Sequence, residues 1–244
     1  MKQQTYLFIF CFIAFPFLHS CLSNNTKEKK GNYEIVHEKI EISDYEEIQS
    51  MIPVEIIYQQ IAQEEPFLQV SVDKNIFPYL SFAVEGKKLI INQINDTTLK
   101  PSQLTIYTNS KNLCKIDLAG NGSVFLKKEV NAQNMEILIS GAGNVSADSL
   151  YCENININIS GTGEADLKGA STNARFEVNG VGTINAFDYF VNSLECVING
   201  VGNADVYVNE KLNVVVAGVG DINYKGEPQT ITKEISGTGN VSKI

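Results

Sequence analysis

Ser160-Gly-Thr-Gly-Glu-Ala-Asp-Leu167, Asn179-Gly-Val-Gly-Thr-Ile-Asn-Ala186 and Asn199-Gly-Val-Gly-Asn-Ala-Asp-Val206 carry the pattern that decides the fold. The G-x-G pair recurs seven times, as Gly120/Gly122, Gly141/Gly143, Gly161/Gly163, Gly180/Gly182, Gly200/Gly202, Gly218/Gly220 and Gly237/Gly239. Successive first glycines lie 21, 20, 19, 20, 18 and 19 residues apart. A near-constant period of that size marks one supersecondary unit stacked on itself.

Counting from the first glycine of each unit, position minus 2 reads Leu118, Ile139, Ile159, Val178, Ile198, Val216 and Ile235. Position plus 4 reads Val124, Val145, Ala165, Ile184, Ala204, Ile222 and Val241. Apolar residues at minus 4 and plus 6 extend both columns with the period of two that a strand imposes. Each unit therefore reads as two short strands facing one core, with G-x-G at the corner between them. A sharp corner calls for positive φ, which costs a residue with a Cβ about 1 kcal/mol and glycine little, so all fourteen glycines are expected to be structural turns. Seven corners in register predict about seven coils of a parallel β-solenoid, roughly 30 Å long at ~4.8 Å per coil. A phosphate-cradling loop would need a third glycine and a following helix, and no unit supplies either.

The N-terminus pairs Lys2 with an apolar run over residues 6–17 and ends Leu18-His19-Ser20-Cys21. This is the pattern of a lipoprotein signal, with cleavage before Cys21 and acylation of its thiol, although His19 departs from the small residue usual at that position. Residues 1–20 are thus the expected signal peptide and 21–32 a lipidated polar tether. Leu22, not an aspartate, follows the cysteine, which directs the expectation to the outer membrane and leaves the periplasmic or surface-exposed face open. Loss of residues 1–20 removes one lysine and takes the net charge from −9 to −10. Nucleic acid is therefore not an expected partner, because it requires a basic footprint; the membrane is contacted through the lipid instead.

Cys114, Cys152 and Cys196 fall two coils apart from one another, about 10 Å along the axis, which exceeds the reach of a disulfide and of a shared metal. Three free thiols are expected, and no metal or cofactor. Residues 33–110 lack the glycine beat and read as an N-terminal β cap and first strands, continuous with the repeat region 111–244. The last coil, ending five residues after Gly239, offers a bare strand edge that could serve a homo-oligomer.

The S-G-x-G and N-G-x-G corners, with Pro53-Val-Glu-Ile-Ile-Tyr58 and Val72-Asp-Lys-Asn75 upstream, resemble the putative auto-transporter adhesin, head GIN domain family of Gram-negative bacteria. The resemblance covers residues 33–244. It implies a right-handed parallel β-helix akin in shape to pectin lyases, a role in cell adhesion with a glycan or cell-surface ligand, and no catalytic residues.

Function on a solenoid lies on its outward columns. Position plus 3 carries Glu164 and Asp221, and plus 5 carries Asp166 and Asp205, which makes these four the candidate ligand face. Asp166 and Asp205, about 10 Å apart, would also approach the carboxylate spacing of an inverting glycosidase. Polysaccharide binding or cleavage is accordingly the alternative to a non-catalytic adhesin or envelope scaffold. Arg175, the only arginine, belongs to the opposite sheet beside Glu195, where an exposed ion pair is expected.

Overall fold

The aliphatic columns form the core of an all-β solenoid of about six turns. In the minus 2 row Leu118, Ile139, Ile159, Val178, Ile198 and Val216 are at most 1% exposed, and the plus 4 row from Val124 to Ile222 is fully buried. The computed structural model describes residues 27–244, so Cys21, the signal peptide and the first half of the tether lie outside the described residues. The only helical element described is a 3-10 turn at Phe77–Tyr79.

Five long strands, Asn121–Ile139, Ala142–Ile159, Thr162–Val178, Val181–Ile198 and Val201–Val216, each wrap most of one coil and pair in parallel with the equivalent strand of the next. A coil has three faces rather than the two expected. Between the plus 6 and minus 4 columns runs a further segment, residues 129–134 in the first coil and 149–154 in the second. Every register shift between neighbouring coils falls at the corner that opens this segment or within it, as between Leu126 and Glu129 or between Ala186 and Phe190. The repeat varies in length there and nowhere else, so counting from the glycines loses phase at that corner.

The glycines correct the expectation of fourteen turn residues in two ways. First, the bend is confined to the first glycine of each pair. Gly122, Gly143, Gly163, Gly182 and Gly202 are strand residues, not turns: each is the second residue of its long strand, and each is the in-register partner of the next. The reason is that the coil-to-coil ladder resumes at the residue between the two glycines. The Thr162 N–H donates to the Gly141 carbonyl and the Val181 N–H to the Gly161 carbonyl, each at 2.9 Å, so the backbone is already extended when it reaches the second glycine. In the last two pairs Gly220 and Gly239 lie outside the strands, flanking isolated bridges at Val219 and Thr238.

Second, positive φ is not what selects glycine. Among the fourteen, only Gly220 has it. What excludes a side chain is the coil beneath. A Cβ on Gly120 would lie 2.5 Å from the Met51 carbonyl carbon, and on Gly141, Gly161, Gly180, Gly200, Gly218 or Gly237 it would collide with backbone carbonyls of the preceding corner. The strand glycines obey the same constraint: a Cβ on Gly122 would lie 2.5 Å from the Val54 carbonyl oxygen, and on Gly143, Gly163, Gly182 or Gly202 it would meet the carbonyl oxygen of the glycine one coil below. Backbone stacked on backbone leaves no room for a methyl group. Consistently, the first corner of the stack has no glycine. Residues 51–53 join Glu47–Ser50 to Val54–Gln60, which lie in register beneath Lys115–Leu118 and residues 122–127. Ile52, in register with Gly120, carries a side chain there that is 3% exposed.

The N-terminal end closes by changing strand direction. Leu104–Ser110 runs parallel to Val54–Gln60, but Phe67–Asp73 runs antiparallel to it and Ile35–Glu41 antiparallel to that; Leu80–Glu85 and Lys88–Gln93 form an antiparallel hairpin on the other face. Buried tyrosines pin the junction: Tyr45 Oη and Thr108 Oγ1 are 2.7 Å apart, and Tyr58 Oη and Ser110 Oγ 2.9 Å. Burial pushes the Tyr58 phenol up to about 12. At the far end Thr230–Ile235 is exposed throughout, and Ile231 and Ile235 are 40% and 45% exposed although Leu212 and Val216 beneath them are fully buried.

Cys114, Cys152 and Cys196 are free thiols. Arg175 pairs with Glu195 in the adjacent coil and, at 3.1 Å, with Glu177 on its own strand.

Candidate functional site: an outward groove

Parallel stacking in register turns a single outward position into a row. Along the plus 5 column Ser146, Asp166, Asn185, Asp205 and Asn223 are Cα partners from coil to coil. The result is an alternation of carboxylate and amide at the spacing of the coils, ~4.8 Å. Asn185 donates its Nδ2 to Asp166 Oδ1 at 2.6 Å and to Glu164 Oε1 at 2.5 Å, and Asn223 Nδ2 donates to Asp205 Oδ1 at 2.9 Å. Asn185 separates Asp166 from Asp205, and directly opposed like charges in a sheet are destabilising.

The four predicted residues do not form one site. Asp166 and Asp205 line a common groove of about 340 Å³ together with Asn185. Glu164 stands at the edge of this row, tied to it through Asn185. Asp221 belongs to a second groove, of about 620 Å³, near the C-terminal corners with Asn203 and Asn240. There its backbone N–H donates to Asn203 Oδ1, and its carboxylate accepts from the Asn240 N–H, each at 2.8 Å.

The first groove also contains residues that column counting did not place. The corner after the plus 6 row brings Asp148, Lys168, Phe187 and Asp188 to its wall. Phe187 is half-buried, and the Lys225 ammonium lies 4.2 Å from its ring centroid. Phe187 therefore borders the carboxylate-amide row; three residues on, Phe190, 47% exposed, meets Tyr207 edge to face at 4.7 Å. A signal was present in Phe187-Asp-Tyr-Phe190, but this run lies where the repeat length changes and so could not be assigned a direction.

Such a groove offers hydrogen-bond acceptors and donors in alternation, flanked by an apolar ring. It suits a polyhydroxylated ligand, whose hydroxyls bond the row while a C–H face rests on the aromatic. Inverting hydrolysis would need an open space between Asp166 and Asp205 for the attacking water, and the Asn185 side chain occupies the intervening coil. Among the described residues no group of three or more His, Cys, Asp or Glu is arranged to hold a metal ion, and no helix is long and apolar enough to cross a membrane.

Comparison with known proteins agrees with this architecture. A putative adhesin from Bacteroides fragilis NCTC 9343 is similar over 88% of this chain and 100% of its own, at 26% identity and a TM-score of 0.85. A putative adhesin from Parabacteroides distasonis ATCC 8503 covers 89% of this chain and 100% of its own at 26% identity and a TM-score of 0.70. A second protein of that organism, described as a putative lipid binding protein, reaches 30% identity over 89% of this chain and 100% of its own, with a TM-score of 0.67. No curated protein matches. The model of one family matches residues 44–228, which is most of the chain, and on that match the chain belongs to the putative auto-transporter adhesin, head GIN domain family.

Proposed function

We propose that this protein is a lipid-anchored adhesion module of the outer membrane that binds glycans in the groove beside Asp166, Asn185, Asp205 and Phe187 and does not cleave them. The observation that carries the reading is the row itself: alternating carboxylates and amides, held by their own hydrogen bonds, open along one side and bordered by an aromatic ring. The family supplies the adhesive role, and the lipobox ending in Cys21 supplies the anchor.

A ligand lying along the solenoid axis would engage several coils at once, so affinity would grow with ligand length as successive sites add. Capture on a panel of neutral and uronic-acid oligosaccharides tests the proposal. Wild-type protein is expected to retain at least one class, and Phe187→Ala to lose it while melting normally. Retention unaffected by Phe187→Ala, or release of new reducing ends that stops in Asp166→Asn, would contradict it. Cys21→Ser is expected to move the protein from the membrane to the soluble fraction.

A further inference from the structure

The last coil carries a charge where the coils before it carry an apolar residue. The minus 4 row reads Ile116, Ile137, Ile157, Phe176, Cys196, Val214 and Lys233. The first six are at most 1% exposed, whereas Lys233 is exposed. Lys233 is nonetheless in register with Val214, so its side chain leaves the strand on the side that faces the core. Ile231 and Ile235, of the same parity on the same strand, stand in register with Leu212 and Val216.

The ammonium reaches across the open end of that coil. Lys233 Nζ donates to the Val241 carbonyl at 3.0 Å and lies 5.4 Å from the centroid of the Tyr224 ring. Val241 and Tyr224 belong to the plus 4 and plus 6 rows, on the strands Val241–Lys243 and Ile222–Lys225 of another face. Tyr224 is 6% exposed, and Val241 packs partly buried against the core. One side chain thus joins two faces of the solenoid over its apolar interior. The strand edges around it have a neighbour on one side only. Among the described residues Thr230–Ile235 pairs with Lys211–Val216 alone, and Val241–Lys243 with residues 222–224 alone.

We infer that Lys233 closes this end of the solenoid against a second copy of the chain. With an apolar residue at 233, the exposed Ile231 and Ile235 would belong to an unbroken apolar row beside unpaired strand edges, the combination on which sheets add further strands. The same edge on two copies is self-complementary about a two-fold axis, so end-to-end pairing is the association this surface would favour. A lysine in the middle of the row opposes it. A second molecule laid over this end would enclose the ammonium among apolar side chains with no carboxylate partner, and burying a charge in that way is costly. An inward-pointing charge is one of the devices that blunt an exposed sheet edge. The bare edge therefore ends the stack instead of continuing it into the next molecule.

Sedimentation of the purified chain in mild detergent, which disperses any lipid anchor, tests this. Wild type is expected to be a monomer at about 100 μM, and Lys233→Ile to self-associate at least about tenfold more strongly. The substitution makes an acidic chain more negative, which by itself opposes association, so the gain would not come from relieved repulsion. A double variant, Lys233→Ile with Ile235→Lys, returns the charge to the same row, and the monomer is expected to return with it. A Lys233→Ile variant that stays monomeric, a double variant that still associates, or wild type that associates as strongly as Lys233→Ile overturns the inference. Loss of folding in Lys233→Ile overturns it too, because the lysine would then be holding the coil together instead of closing its end.

Discussion

Asn185 stands one coil above Asp166 and donates its side-chain amide to that carboxylate at 2.6 Å. The contact makes a neutral spacer out of a position that, as a carboxylate, would put Asp166, residue 185 and Asp205 in one in-register column.

Asn185→Asp is therefore expected to lower stability by about 1 kcal/mol, the upper end for directly opposed like charges in a sheet. The loss should shrink in high salt, because this face is open to solvent. Thermal melts of wild type and variant at low and high ionic strength measure it; a salt-independent loss would point to lost packing instead.

Two glycines separate the two reasons for having one. Gly161→Ala drives a methyl group into the carbonyls of Gly141 and Ser140, and backbone on both sides cannot yield; overpacking of this kind costs about 2–3 kcal/mol. Gly86, in the hairpin between Leu80–Glu85 and Lys88–Gln93, has φ +54° and nothing near its Cβ position. Gly86→Ala should cost about 1 kcal/mol from backbone strain alone, and Gly86→Asn less, since asparagine tolerates that region. Chemical denaturation of the three variants checks the order.

Asp73 ties the start of the described chain to the cap. It is fully buried, accepts the backbone N–H groups of Tyr33 and Ser102 at 2.7 Å each, and accepts the Ser102 hydroxyl at 2.8 Å. Burial by itself would raise its pKa, but the hydrogen bonds from Ser102, Tyr33 and Gln103 outweigh burial and hold the carboxyl below its usual range. A folded value below the unfolded one of about 3.9 means that this stabilisation is complete above the unfolded value and is lost as the pH falls through the folded one. Asp73→Asn, which sets an amide against N–H donors, should cost about 2 kcal/mol at neutral pH, with the gap to wild type closing in acid. Urea titrations at neutral and acidic pH follow this directly.

Thiol chemistry should separate the cysteines. Cys196, 1% exposed, has its thiol pushed up to about 12 by burial. It should resist alkylation at neutral pH until the protein is unfolded. Cys114 is partly exposed, and burial with Glu46 and Glu47 nearby raises its thiol as well, so it should react slowly but in the native state. Peptide mapping after timed alkylation distinguishes them.

How much of this was legible in the sequence follows from where the repeat keeps its phase. Next to the glycines it is constant, so Leu118, Val124 and their counterparts could be placed inside, and Asp166 and Asp205 outside on one row. Past plus 6 the coils differ in length, and the middle face and the wall residue Phe187 had no fixed phase to be read from. The first corner, residues 51–53, was invisible for another reason: it has no G-x-G corner beneath it, and Ile52 stands where the later corners carry their first glycine. The need for glycine at the other corners was apparent, but its cause was contact between coils, which no single unit displays. For the same reason the second glycines, Gly122 to Gly202, looked like part of the turn when they open the strands that follow it. Glu164, Asp166, Asp205 and Asp221 looked like one acidic face; the structure divides them because Asp221 sits at the corner, bonded within its own row of asparagines.

Adhesion through the Asp166–Asp205 groove is tested most directly by competition on whole cells. Cells displaying the protein would be allowed to adhere to immobilised glycan in the presence of purified wild-type protein or of a Phe187→Ala, Asp205→Asn double variant. The account predicts that the wild-type protein blocks adherence and the folded double variant does not. Equal blocking by both, or no effect of either, would contradict it.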